Sequence, residues 1–254
     1  MWSDLFLGTT LNTSNWVNGI TSRAADGWLW NEKIIQVDGQ PISLSAVSQP
    51  GGTSAEFFDP RRVVVDNGLT ISAVPSTEYP GFTYASGCIC SYNKVSIKTG
   101  IVRVHARMPD TTHGAWPAIW FLPGPTGTHG DNGEIDVQEG GLTGRVTASV
   151  SPNETVASTF HRPDLGGYQL GFGFDANVDL SAGYHNYDLE LSVGMVRALF
   201  DDEPVATWTK NLLGDEMQII IGLSVATTAA RGWHTTGTPV QPCRLQVNGV
   251  GVWV

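Results

Sequence analysis

Two-residue alternation, repeated along the chain and interrupted by turn residues, constrains the fold more than any other feature of the sequence. His185, Tyr187, Leu189, Leu191 and Val193 alternate with Asn186, Asp188, Glu190 and Ser192, and Val102, Val104 and Ala106 alternate with Arg103, His105 and Arg107. Successive side chains of a strand point to opposite faces, so such runs bury one face of an antiparallel sheet. The stretch from Arg145 to Ser151 reads the same way. Further strands are predicted near 62–65, 69–74, 84–91, 116–122, 134–139, 196–200, 205–208, 216–225 and 244–254. Turn residues separate them at Asp66-Asn67-Gly68, Pro123-Gly124-Pro125, Asp201-Asp202-Glu203-Pro204 and Asn248-Gly249. No window of a dozen residues shows a 3.6-residue period, and only Asn211 to Glu216 reads as a short helical turn. Many short strands with almost no helix predict an all-β sandwich or jelly roll of two antiparallel sheets.

Charge and composition exclude several functions. The 254 residues carry 24 acidic against 14 basic side chains, a net charge of −10, with no Lys/Arg cluster. That excludes nucleic acid and anionic membrane as main partners. Apolar runs such as Ile219–Ile221 are far too short to cross a bilayer. No repeat or linker-like stretch divides the chain, so residues 1–254 are read as one domain, expected to be monomeric. Cys88, Cys90 and Cys243 have no metal-ligand spacing. On a strand Cys88 and Cys90 share a face, which favours buried thiols, with a disulfide from Cys243 to one of them as the alternative. Met1-Trp2-Ser3-Asp4 lacks the basic and apolar regions of a secretory signal.

The segment Gly133-Glu134-Ile135-Asp136-Val137-Gln138-Glu139 places three acids within six residues of a lightly charged chain. Regular alternation would put Glu134, Asp136 and Gln138 on one face and would bury Glu139 with Ile135 and Val137, which is costly for a carboxylate. A β-bulge near Val137-Gln138 returns Glu139 to the polar face. Glu134 and Glu139 then have Cα atoms roughly 13 Å apart, and side chains leaning inward bring the carboxyl groups to about 5–5.5 Å, the separation used by retaining glycosidases. Crowding raises the pKa of at least one acid. A solvated strand face and a calcium site built from these oxygens remain open as alternative readings. Upstream, Trp116 and Trp120 share a strand face opposite Ile119 and Phe121, and Trp233 stands in a loop among small and polar residues. All three suit stacking against sugar rings, with filling of the sandwich core as the other reading of Trp116 and Trp120. The histidines at 105, 113, 161, 185 and 234 show no ligand spacing, and no metal is assigned to them.

The run Gly-Glu-Ile-Asp-Val-Gln-Glu, preceded by Trp-Pro-Ala-Ile-Trp-Phe-Leu-Pro, resembles the signature of glycoside hydrolase family 16, in its bulged, laminarinase-like branch. Weaker likeness extends over Thr10–Trp16, Val104–Pro109, His185–Trp208 and Arg244–Val254. The resemblance implies a jelly roll with a concave substrate cleft and endo-acting, retaining hydrolysis of a β-linked polysaccharide, with a β-1,3-glucan favoured. Galactan-type polymers and a non-catalytic carbohydrate-binding jelly roll are the alternatives. It implies Glu134 as nucleophile, Glu139 as acid/base, Asp136 as supporting acid, and Trp116, Trp120 and Trp233 as sugar-binding residues. It implies no required cofactor, allows a structural calcium for which no ligand set is legible, and suggests an extracellular location. Three places depart from the family pattern: Cys88 where an Arg is usual, Gly222 where an Asn is usual, and Thr147 and Ser151 in the expected places of two histidines.

Overall fold

Where the alternation can bury one face, it does. In the Gly100–Arg107 strand Val102, Val104 and Ala106 are wholly buried between exposed or half-exposed neighbours, and Tyr187 and Leu189 are buried across from them in His185–Ser192. The computed structural model of the protein describes residues 1–19, 33–37, 40–44, 52–124, 133–162, 165 and 168–254. Two sheets enclose one main core, to which Ile71, Val104, Ile119, Val137, Phe160, Leu189 and Ile221 all contribute.

The back sheet runs Glu203–Trp208, Met195–Phe200, His185–Ser192, Gly100–Arg107, Cys243–Trp253, Leu69–Pro75, Tyr84–Ser86, Glu56–Phe58. Trp2–Asp4 joins it beside Cys243–Trp253, and Val63–Val65 beside Leu69–Pro75. The front sheet runs Tyr168–Asp175, Thr155–Arg162, Ile135–Glu139, Ala115–Pro123, Met217–Val225, Cys88–Cys90, Val17–Asn18, with Ser96–Ile97 also on Met217–Val225. Lys33–Val37 and Gln40–Leu44 pair antiparallel as a third, two-stranded sheet. The two-sheet architecture agrees with the sequence reading, with one local exception: Glu56–Phe58 pairs parallel to Tyr84–Ser86.

Other local readings need correction. Arg145–Ser151 is not a strand. Gly144 adopts a positive φ of 75°, the Val150 amide donates to the Thr147 carbonyl, and neither Val146 nor Ala148 is buried. A 3-10 turn, Pro152–Glu154, follows under a capping box from Ser151, and the strand comes after it, at Thr155–Arg162. Asn248-Gly249 makes no turn. His105 pairs with Gly249 and Ala106 with Val247, so Asn248 is the extra residue of a bulge within Cys243–Trp253. Asn211 to Glu216 is not helical. The three cysteines form no disulfide and are buried, Cys243 in the main core and Cys88 with Cys90 on the other face of the front sheet.

Candidate active site

The acids lie on the Ile135–Glu139 strand, whose pairing with Ala115–Pro123 slips by one residue. Trp120 opposes Asp136 and Phe121 opposes Ile135, but Ile119 opposes Gln138 and Ala118 opposes Glu139. Val137 is therefore the inserted residue of a bulge, at the place the sequence required one. Ile135 and Val137 go into the core, while Asp136 and Glu139 share the open face of the front sheet with Trp120 and Ala118. The insertion also ends the ladder on the other side: only Ile135 and Asp136 pair with Thr155–Arg162, through Phe160 and Thr159. Side chains take over beyond that point. Gln138 accepts from the Ala157 amide at 3.0 Å and donates to the Thr155 carbonyl at 3.3 Å, and the Ser158 hydroxyl donates to the Val137 carbonyl at 2.7 Å. Gln138 thus staples the bulge instead of joining the acids.

Around the acids the structure places groups that sequence spacing did not single out. His161 Nε2 lies 2.8 Å from Asp136 Oδ2 and 4.0 Å from Glu134 Oε1. It stands two residues beyond Thr159, the residue opposite Asp136, and so shares the open face. The strand that follows the acids therefore carries one histidine after all; the places read as Thr147 and Ser151 precede it. Trp116 Nε1–H donates to Glu139 Oε1 at 3.0 Å. Its ring meets Trp233 edge-on at 5.2 Å and His234 at 4.8 Å. Buried His234 sets Nδ1 2.6 Å from the Thr235 carbonyl oxygen and Nε2 2.9 Å from that of Gly140, the residue after Glu139. A Cβ on Gly141, whose φ is +88°, would fall 2.4 Å from the His234 ring, so only glycine fits there. The Trp233 loop is in this way fixed to the turn behind Glu139, with Trp233 itself 40% exposed.

Burial is the main cause of the electrostatics. It pushes the carboxyls of Glu134 and Asp136 well above the usual range and that of Glu139 above it. Neighbouring charge adds to this: Asp136 and Glu139 raise Glu134, and Glu139 raises Asp136. The charge of His161, the Trp116 N–H and the charge of Arg145 pull Glu139 back down. Glu134 keeps 36% of its side chain open, so water offsets part of its desolvation, whereas Asp136 keeps only 5%. Glu134, Asp136 and His161 also present one oxygen or nitrogen each within 4.8 Å of one another, a donor set that suits a divalent cation by position.

The sequence profile of glycosyl hydrolases family 16 matches residues 24–242. The chain belongs to this family. Endo-1,3-1,4-beta-glycanase EglC of Rhizobium meliloti (strain 1021) is 33% identical over 168 residues, 64% of this chain and 33% of that protein. Glucan endo-1,3-beta-glucosidase A1 of Niallia circulans is 28% identical over 177 residues, 65% of this chain and 24% of that one. The laminarinase from Rhodothermus marinus superposes with a TM-score of 0.73 at 23% identity, over 100% of this chain and 97% of that one. The chain spans less than half the length of the curated relatives it matches first.

Two of the departures from the family 16 pattern turn out to be neighbours. Cys88 pairs with Gly222, and a Cβ on Gly222 would meet the Cys88 sulfur at 3.1 Å. Together with Phe58, Cys90, Leu122 and Ile220 the thiol forms an apolar cluster on the open side of the front sheet, and Trp120 packs against it. Trp120 is accordingly half-buried between this cluster and Asp136, while Trp116 belongs to the Glu139 side.

Proposed function

We propose that the protein is an endo-acting, retaining hydrolase of a β-linked glucan, most readily a β-1,3-glucan of the laminarin type. The observation that carries this is the Val137 bulge, which brings Glu134, Asp136 and Glu139 to one face beside His161 and Trp116. In this reading Glu134, ionised, attacks the anomeric carbon while Glu139 gives its proton to the departing glycosidic oxygen. Glu139, now a carboxylate, then takes a proton from water, whose oxygen displaces Glu134 and restores the β configuration. Asp136, in its protonated form, steadies the attacking Glu134, and His161, as its Nε2–H tautomer, donates to Asp136 Oδ2. The raised Glu139 suits a group that must stay protonated near neutral pH. Trp116, Trp233 and Trp120 offer ring faces or edges to the sugars on either side of the acids.

Relatives named as 1,3- and 1,3-1,4-β-glycanases support the substrate class. We place the work outside the cytoplasm, where such polymers occur, with a single chain sufficient and no cofactor needed. The test is incubation with laminarin, mixed-linkage β-glucan and agarose, following new reducing ends and the anomer first formed by NMR. Laminarin cleavage giving the β anomer, lost in Glu134→Gln, is expected. Cleavage of agarose alone would overturn the substrate, and an α anomer would overturn the mechanism.

A further inference from the structure

Past the acids, the floor of the front sheet is made of small residues. Thr159 opposes Asp136, Gly171 opposes Thr159, and Gly173 opposes Ala157. Residues opposite one another on adjacent strands share a face, so Ala157, Thr159 and the two bare glycine positions continue the face that carries Asp136. Arg145, from the loop that follows the acids, lies across them. A Cβ on Gly171 would fall 1.6 Å from Arg145 Nη1, and one on Gly173 would fall 2.1 Å from the Arg145 carbonyl oxygen. The glycines are the room that the arginine occupies.

This guanidinium is largely unspent. Nη2 donates to the Thr159 hydroxyl at 3.3 Å, and among the described residues no carboxylate comes within ion-pair distance of it. A guanidinium has five N–H donors in a planar fork that matches a carboxylate. Its charge reaches Asp136 and Glu139, which sets it beside the reacting centre. A sugar bearing a carboxylate would otherwise meet three acids and a chain of net charge −10, a repulsion that a fixed cation offsets locally. We propose that Arg145 is a specificity-determining residue that binds a carboxylate carried by the polysaccharide, such as that of a uronic acid, next to the point of cleavage.

This inference rests on the glucan-hydrolase reading, and its test is kept separate by measuring binding. Glu134→Gln protein is titrated calorimetrically with laminari-oligosaccharides and with the same oligosaccharides oxidised at one C6 to the carboxylate. The oxidised ligand is expected to bind at least as tightly as the neutral one. The affinity ratio of oxidised to neutral should fall about tenfold when Arg145→Ala is added, as for loss of a charge-assisted hydrogen-bonded pair. Arg145→Lys should retain part of the preference. Gly171→Ala, which displaces the guanidinium while keeping its charge, should lose it as Arg145→Ala does. A ratio unmoved by both Arg145→Ala and Gly171→Ala, a clear preference for the neutral ligand, or no binding of either overturns the proposal. Turnover of neutral laminarin by the unaltered enzyme reports on the hydrolase reading independently.

Discussion

The hydrogen bond from Trp116 to Glu139 has a sign that can be read in a pH profile. An N–H aimed at a carboxylate favours its charged form and lowers its pKa. Trp116→Phe removes that donor, so the Glu139 pKa should rise further and the alkaline limb of kcat/KM should move to higher pH, by about one unit. A limb that stays in place or moves down contradicts the assignment of Glu139 as the acid. Glu134 permits a stability measurement as well. Its folded-state pKa is raised, so the protonated form fits the fold better, and stability is lost as pH rises through that value. Glu134→Gln should therefore melt higher than the parent near neutral pH, with the difference shrinking toward zero below about pH 4, where both side chains are neutral. Thermal melts of both proteins across pH check this, alongside the loss of turnover.

At the scale of elements the bulge and its staple should be separable. Gln138→Leu leaves the Ala157 N–H and the Thr155 carbonyl buried without partners, at a cost of about 2–4 kcal/mol in urea unfolding. Unchanged stability would show that the staple is idle. The bulge itself was legible in the sequence because Ile135, Val137 and Glu139 cannot all go into a core. Its neighbours were not. Thr155–Arg162 is buried on both faces, with Ser158 and Thr159 among its most buried residues, so no alternation of apolar and polar side chains marks it. Tyr168–Asp175 alternates Tyr168, Leu170, Phe172 and Phe174 with Gln169, Gly171, Gly173 and Asp175, but glycine is a poor strand former, and Gly171 and Gly173 make sense in a strand only once Arg145 is seen lying on them. His161 was hidden for the same reason: without its strand it has no face. Conversely, Arg145–Ser151 alternates in sequence but joins no sheet and leaves neither Val146 nor Ala148 buried. The three acids and three tryptophans were visible as motifs, but the link from Trp116 through His234 to the turn behind Glu139 depends on contacts between distant segments.

For the molecule as a whole, the thiols report on global unfolding. Cys88, Cys90 and Cys243 are each at most 1% exposed, and burial pushes the Cys243 thiol up to about 12 and Cys88 well above its ordinary value. A thiol reagent at pH 8 should leave the native protein untouched and titrate all three groups once denaturant unfolds it. A fast-reacting thiol in the native protein would place one of them at the surface. The outermost strands of the chain bear on a different property. Trp2 pairs with Val252 and Asp4 with Val250, so the first and last strands lie side by side in the back sheet, the layer that does not carry the acids. A short peptide could splice the two ends together and the chain could be reopened at the Asp201–Asp202 turn, giving a circular permutant with its strand pairings preserved. By the same geometry, a passenger fused at either end would be attached to the layer that does not carry the acids.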